Sequence, residues 1–420
     1  MTIRNVIVIG AGLAGMSTAF ALARLGCASL VLERQAGAGL GASFANGGML
    51  TPSMADPWNA PGVWRDLLRW FGREDAPMLL RLHAMPELAL WGAQFLAASR
   101  ASHFTRAIEL NARLGLFSLE VMDSWRQDAN LHFDSAQNGT MKIYRNRAAW
   151  EAGVGKSEVM ARLGVVCEPM DGAQTLAYEP ALTPIGEAIA GAVRFPRDQS
   201  GDARKFVEAL AHVGEGLGVR VRYGAEVRRL LVRGGSVRGV LLADNEELQA
   251  DAVVLATGPH AAMLARQAGV DLPIKPVKGY SISFPVRGMQ GLPKAPLVDD
   301  ALHAALTPLG QTLRVAGTAE FSGFDTRIRP ERIENLRGLL RQILPQQAAT
   351  LESEGGHAWA GLRPMHARGV PAIGPTRRRG LFVNAGHGHL GWTLAAGSGA
   401  ALAQLMLGAP ADFDLGPFAP

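Results

Sequence analysis

Glycines at positions 10, 12 and 15, with a glutamate at 33, are residue types and spacings suited to holding a pyrophosphate and a ribose. They lie in VIVIGAGLAG (residues 6–15) and VLER (residues 31–34). Gly10 allows a tight turn out of a strand, Gly12 lets the backbone approach a phosphate, and Gly15 lets the next helix lie against the sheet. The helix that opens at Leu13 and Ala14 turns free N–H groups and its positive dipole end toward that phosphate. Glu33, followed by Arg34, ends the second strand with a carboxylate placed for the adenosine ribose hydroxyls. A carboxylate there disfavours a 2′-phosphate, which weakens an NADP reading. The competing reading is a glycine turn with no ligand, but a strand over residues 5–9 and a helix over 13–25 supply the context the motif requires.

The elements that must position these residues are interleaved along the chain. Residues 61–130 have apolar positions at helical spacing, with breaks near Gly72 and Ser99. Strand-like runs follow at 140–144, 165–168 and 190–195, then a helix over 203–217. Residues 219–256 read as successive strands, with turns at Gly234-Gly235 and Asp244-Asn245. A second excursion over 273–354 holds an alternating strand (275–286), a further strand (312–323) and a helix (330–344). The chain returns through a strand at 381–387 and a helix over 391–406. The fold class expected is α/β: a Rossmann-like nucleotide-binding domain from residues 1–60, 198–272 and 355–420. It is interwoven with an α+β substrate domain on a mostly antiparallel sheet, from 61–197 (with a helical insertion, 61–130) and 273–354.

At 420 residues the chain exceeds what one core usually supports, so two lobes are expected. An apolar content of 48% with 50 glycines excludes disorder. A formal charge of +5 with dispersed basic residues gives nucleic-acid binding little support. Cys27 and Cys167 form no CxxC, which argues against a zinc site and suits a reducing cytoplasm. The pair of histidines in GHGH lacks a carboxylate or cysteine partner, so no metal is expected. No run reaches ~18 uninterrupted apolar residues. Residues 79–96 come closest, broken by Arg81, His83, Glu87 and Gln94, and read better as a core-packing helix than as a membrane-surface one.

Taken in order, SFANGGMLTPSMADPWNAPG (43–62), ATGPHA (256–261), PVKGYS (276–281), GLRP (361–364) and NAGHGHLGWTLAAGSG (384–399) resemble a known family. The chain is similar to the FAD-dependent D-amino-acid oxidase and glycine oxidase superfamily, and within it to the bacterial D-amino-acid dehydrogenases. The resemblance covers nearly the whole length and implies tight, noncovalent FAD in a glutathione-reductase-type domain. It implies that Ser43 lies near the pyrophosphate or ribityl chain, and that Asn46, Gly47, Gly48 and Met49 lie beside the isoalloxazine. Asn46 stands where some demethylating relatives carry a flavin-tethering histidine. The backbone of Val227 would meet the adenine edge, and Thr257 and Gly258 would close the returning strand. An ordinary β-meander is the alternative for that stretch. N–H groups from Gly388 through Gly391, Trp392 and Thr393 would stabilise negative charge on reduced flavin.

Arg363 is the resemblance's candidate for the substrate carboxylate, which a guanidinium binds bidentately. Tyr280 and Tyr144 are weaker candidates, each equally readable as a sheet aromatic. His387 would orient substrate or hold the turn. The implied reaction is hydride transfer from the α carbon of an amino acid to flavin N5, with no strong base required. Hydrolysis to 2-oxo acid and ammonia follows, and electrons pass to a quinone or another carrier. The expected setting is the cytoplasm or the periphery of the inner membrane, as a homo-oligomer or a subunit of a larger complex. Alternatives left open are oxidation of a secondary or N-substituted amino acid (sarcosine, glycine, hydroxyproline or opine type), a NAD-dependent dehydrogenase, and a flavin-binding protein without catalysis.

Overall fold

The computed structural model describes residues 3–70, 72–74 and 76–420. Residues 1 and 2 of the first expected segment, and 71 and 75 of the expected helical insertion, lie outside the described residues. VIVI (Val6–Ile9) is buried at every position, as a central parallel strand must be. It pairs in parallel with Ser29–Leu32 on one side and Ala252–Leu255 on the other. The full six-stranded sheet runs Ala372–Pro375, Leu381–Ala385, Ala252–Leu255, Val6–Ile9, Ser29–Leu32, Val219–Arg222. A separate three-stranded antiparallel sheet (Val227–Arg233, Ser236–Leu242, Glu247–Gln249) precedes the returning strand Ala252–Leu255.

The helix Leu13–Arg24 packs against the C-terminal helix Gly391–Leu407, and small residues set their separation: a Cβ at Gly399 would lie 2.6 Å from the Ser17 backbone. The region 388–407 is long and apolar enough to cross a membrane by length and composition, but 72% of that window is buried inside the protein. It is the central helix of the nucleotide-binding core, where it also meets the 28-residue helix Ala101–Asp128.

The second sheet has nine strands, mostly antiparallel. Its order is His357–His366, Ile274–Pro285, Thr312–Phe321, Ala304–Leu309, Leu297–Asp299, Thr140–Tyr144, Gly191–Phe195, Glu168–Asp171, with Met78–Leu80 added beside Thr312–Phe321. The helices Pro330–Ile343 and Pro345–Ser353 cover one face of it, with Ile282, Phe284, Leu306, Val315 and Leu336 in the intervening core. The fold is thus α/β, a Rossmann-like nucleotide-binding lobe joined to a lobe built on an antiparallel-rich sheet.

Three local assignments differ from the sequence reading. Strand His357–His366, expected in the nucleotide-binding lobe, joins the second sheet because ten of its residues pair with Ile274–Pro285. The excursion 61–130 is not wholly helical, since Met78–Leu80 forms a parallel strand, and its long helix Ala101–Asp128 buries Leu114, Leu119, Met122 and Trp125 in the core of the nucleotide-binding lobe. The strand expected at 165–168 runs instead over Glu168–Asp171, and is flanked by the unanticipated helices Arg147–Arg162 and Gly172–Tyr178.

Candidate active site

A single cavity of about 1730 Å³ runs between the two lobes. Its floor begins at the first βα turn. Gly10 adopts φ +104°, and Gly15 sits so close beneath it that a Cβ there would lie 1.8 Å from the Gly10 carbonyl oxygen. The helix N-terminus has no side-chain cap of its own. Ser43 reaches across from the following loop instead, its Oγ accepting from Leu13 N at 3.2 Å. Glu33 accepts from Ala11 N at 2.8 Å and Gln35 N at 2.9 Å, which orients its carboxylate at the cavity wall with lone pairs remaining for hydroxyl donors. Arg34 Nη1 lies 3.4 Å from His260 Nε2, just past Thr257 and Gly258. Thr257 Oγ1 is buried there without a hydrogen-bond partner among the described residues. Val227 closes this end of the cavity.

The loop 41–50 forms the middle of the cavity, and its carbonyls are held from the second sheet. Ser281 Oγ donates to Ala45 O (2.6 Å), Arg314 Nη1 to Asn46 O (3.1 Å) and Thr307 Oγ1 to Gly47 O (2.7 Å). Asn46 Oδ1 accepts from Gly48 N at 3.0 Å, and Met49 pairs with Ser200 in a two-residue ladder. Gly388, Gly391 and Trp392 border the far side, where the C-terminal helix begins. The Trp392 ring itself is buried against Phe133 and Phe206, its Nε1 donating to Gly201 O. Thr393 and Gly15 do not line the cavity; Thr393 Oγ1 accepts from Thr51 N at 3.0 Å and ties the end of this loop to the helix. The backbone-lined turn, the helix N-terminus, the unpartnered Thr257 hydroxyl and the length of the cavity all fit an extended dinucleotide such as FAD.

The substrate candidates fare differently. Arg363 sits opposite Val277, and its guanidinium lines the cavity. Among the described residues it has no carboxylate partner; Nη1 reaches Thr318 O at 3.4 Å and Cζ lies 5.6 Å from the Trp58 ring centroid. Burial pulls this guanidinium down to about 10, so it keeps its charge at neutral pH. Trp58 stacks in turn on His389 (5.4 Å between centroids), whose imidazole burial pushes down to about 4.

Tyr280 is one residue out of phase with this face. Opposed residues on paired strands share a face, so Gly279, Gly361, Ser281 and Trp359 point with Arg363, while Tyr280 points with Lys278 and Ala360 to the other side. Its hydroxyl donates to Glu320 within a buried charge cluster, away from the Arg363 guanidinium. Tyr144 does line the cavity, packed under Gly153, but its strand is five strands from that of Arg363, about 24 Å at ordinary interstrand spacing. His387 is buried, its Nε2 3.3 Å from Ser398 Oγ, and desolvation pushes it to about 4. It braces the turn into the C-terminal helix while bordering the cavity.

Sequence reading did not single out Ser281, Thr307 and Arg314, nor Trp58 and His389 beside Arg363. Ser281 carried one usable signal, sharing the parity of Gly279 in an alternating strand.

Comparison with known proteins now adds to this geometry. Residues 5–405 match the family model described as DAO, FAD dependent oxidoreductase. The chain belongs to that family. It is 38% identical over 412 residues to a D-amino acid dehydrogenase of Paramagnetospirillum magneticum, spanning 98% of this chain and 97% of the relative. It is 39% identical over 409 residues to a D-amino acid dehydrogenase of Dechloromonas aromatica, with 96% and 97% covered. The glycine oxidase structure from Geobacillus kaustophilus shares the fold with a TM-score of 0.76 at 23% identity, covering 100% of this chain and 98% of that one. This chain is therefore an FAD-dependent oxidoreductase, and the cavity between its lobes is long enough to take that cofactor.

Proposed function

We propose that this FAD-dependent oxidoreductase oxidises D-amino acids to 2-oxo acids and ammonia and passes the electrons to a quinone or another carrier. One observation carries the substrate class: Arg363, a half-buried guanidinium with no carboxylate partner among the described residues, faces the cavity of a flavoenzyme. A partly desolvated cation left without a counter-charge is costly, and an amino-acid carboxylate relieves that cost while fixing the α carbon. The names of the relatives at 38% and 39% identity support the D configuration.

Gly10, Gly12, Leu13, Ala14, Glu33, Ser43, Thr257 and Gly258 hold the dinucleotide in this reading, and Asn46 to Met49 with Gly388 to Trp392 hold the ring. Bound FAD supplies a two-electron acceptor for the α hydrogen. Arg363 holds the carboxylate through paired N–H donors. Trp58 and His389 wall the same space, and a neutral His389 adds no second cation to misdirect the carboxylate. Hydrolysis of the released imino acid yields 2-oxo acid and ammonia.

The same reading places the enzyme at the periphery of a membrane. Among the described residues, Trp64, Leu68, Leu82, Met85, Leu90 and Leu96 are six of sixteen exposed large apolar side chains, all within one excursion. The helix Met85–Ala97, expected only to pack on the core, is apolar on both faces, burying Leu88, Trp91 and Phe95 while exposing Leu90 and Leu96. Arg65, Arg69 and Arg100 stand exposed beside this surface, a combination suited to acidic lipid. Val63, Trp70 and Met78 of the same excursion border the cavity, so a lipid-soluble acceptor would arrive near its mouth.

The test is anaerobic titration of the purified holoenzyme with D-amino acids, L-amino acids, N-methylglycine and proline, following the flavin band. Bleaching by D-amino acids in preference to the others is expected. Arg363→Ala should raise the dissociation constant for the D-amino acid at least ~30-fold, the loss of about 2 kcal/mol or more. Preferential bleaching by a secondary amine, or an unchanged dissociation constant in Arg363→Ala, would refute the assignment.

A further inference from the structure

Strand Thr312–Phe321 carries one residue too many where it meets Ile274–Pro285. Gly279 opposes Ala319 and Tyr280 opposes Gly317, leaving Thr318 bulged between them. Thr318 has φ +58°, a left-handed conformation that a β-branched residue avoids. Its Oγ1 is buried without a hydrogen-bond partner among the described residues. Two unfavourable features thus coincide at one residue, and such strain persists only where the surroundings over-determine it.

The surroundings do so here. On the far face Glu320 accepts hydrogen bonds from the Tyr280 hydroxyl and from Arg81 Nε at 2.8 Å, and is ion-paired with Arg329 (Nε at 3.2 Å) and Lys278 (Nζ at 3.5 Å). Arg332, fully buried, donates to Ala319 O and Ala76 O. These contacts pin the strand immediately after the bulge. The strained residue is also the one whose carbonyl oxygen meets Arg363 Nη1. Beneath the same guanidinium, a Cβ at residue 279 would lie 2.0 Å from Nη1 and 2.3 Å from Cζ, so the group occupies the space that the missing side chain of Gly279 leaves.

We infer that Gly279 and Thr318 are positioning residues that together form a seat for the Arg363 guanidinium. Gly279 provides the space, and the left-handed backbone of Thr318 aims one carbonyl at Nη1. The other N–H donors of Arg363 are thereby left for a substrate carboxylate. This inference rests on the carboxylate-binding role proposed above for Arg363.

The experiment uses FAD-loaded enzyme and compares Gly279→Ala, Thr318→Pro, Thr318→Gly, Arg363→Ala and the double variant Gly279→Ala with Arg363→Ala. Anaerobic flavin reduction gives the substrate dissociation constant and the limiting rate, while flavin absorbance and the thermal unfolding midpoint report the holoenzyme's integrity. Gly279→Ala is expected to raise the dissociation constant about tenfold or more, with the limiting rate changed by less than about threefold. Thr318→Pro, whose ring fixes φ near −65° and redirects the carbonyl, should act in the same direction. Thr318→Gly, which keeps the left-handed backbone and the carbonyl, should stay within about twofold of the parent. In the Arg363→Ala background Gly279→Ala should add nothing.

An unchanged dissociation constant in Gly279→Ala, or an equal added loss in the Arg363→Ala background, would overturn the seat. If only one of Gly279→Ala and Thr318→Pro yields holoenzyme, that variant decides by the same criterion. If neither holds FAD, the residues support the fold at large and the seat is likewise overturned. Weakened binding in Arg363→Ala with parental binding in Gly279→Ala refutes the seat alone. Parental binding in Arg363→Ala refutes the substrate reading instead.

Discussion

Arg314 donates through Nη1 to the carbonyl oxygen of Asn46, although the two residues belong to different lobes. The same guanidinium bonds Ser283 Oγ through Nε and pairs with Asp202 Oδ2 at 3.1 Å. Asp202 in turn caps the helix Ala203–Glu215, accepting from Arg204 N and Lys205 N. One buried side chain therefore ties the cavity loop 41–50 to the second sheet and to a helix of the nucleotide-binding lobe. Arg314→Met should leave Asp202 partly buried without its partner, costing about 3 kcal/mol of stability, and should loosen the loop. A lower unfolding midpoint together with faster FAD loss on dilution is the expected result. A variant that retains FAD as the parent does would show that Ser281 and Thr307 hold the loop without it.

Tyr280 faces away from the Arg363 guanidinium, so its removal should be felt in stability rather than in turnover. Glu320 is buried among Lys278, Arg81 and Arg329; burial alone would raise its carboxyl, but the Tyr280 hydroxyl, Arg81 and Lys278 together hold it below the usual range. Tyr280→Phe removes one bond to that carboxylate and should destabilise the protein by about 1.5–3 kcal/mol in urea unfolding. The substrate dissociation constant should stay within about twofold. A tenfold change in the dissociation constant at unchanged stability would give Tyr280, which also borders the cavity, a direct part in substrate binding.

The contrast between Arg363 and Tyr280 shows what could be read before the structure and what could not. Gly10, Gly12 and Glu33 act through backbone shape and one carboxylate at short range, so their sequence spacing carries the turn itself. The strand Thr140–Tyr144 and the helix starts at Leu13 and Ala203 were likewise legible, because periodicity and caps are local. Which face Tyr280 occupies depends on its pairing with Ala360 and on the bulge at Thr318, and register between distant strands leaves no local mark. Ser281, Thr307 and Arg314 converge on one loop from three strands, so no single motif contains them. The helix Arg147–Arg162 was missed although Asn146 caps it by accepting from Ala149 N; two interior glycines and a mostly exposed surface obscured its periodicity.

Lipid docking through the exposed apolar surface predicts a specific binding pattern. Replacing Leu68, Leu82 and Leu90 together by serine should remove most of the buried apolar contact, since each exposed leucine contributes about 1.5–3 kcal/mol when it becomes buried. The parent holoenzyme should cosediment with vesicles containing phosphatidylglycerol and less so with purely zwitterionic ones, the difference shrinking at high salt. The triple variant should remain in the supernatant while D-amino acids still bleach its flavin. If the parent ignores vesicles and instead self-associates through this surface, with the variant monomeric, the surface is an interface between copies and the membrane reading fails.

Asp198 should make stability depend on pH in a recognisable direction. Its carboxyl is fully buried between Ser53 and Thr140, accepting from their hydroxyls at 2.5 and 2.6 Å. Burial raises it to about 7 in the folded protein, against 3.8 as the ordinary value, while the two hydroxyls partly offset that rise. Below the ordinary value both states are protonated and this contribution to stability is complete. Between about 4 and 7 the unfolded chain loses the proton and the folded protein keeps it, so stability falls as pH rises, by up to about 1.4 kcal/mol per pH unit. Above about 7 both states are ionised and the loss levels off. Asp198→Asn keeps an acceptor for the two hydroxyls and removes the titration. The difference in urea-unfolding free energy, parent minus variant, should therefore decline steadily from pH 5 to pH 7.5 and flatten beyond it. A difference independent of pH across that range would mean that Asp198 ionises near its ordinary value, with water or a neighbouring cation reaching the space between Ser53 and Thr140.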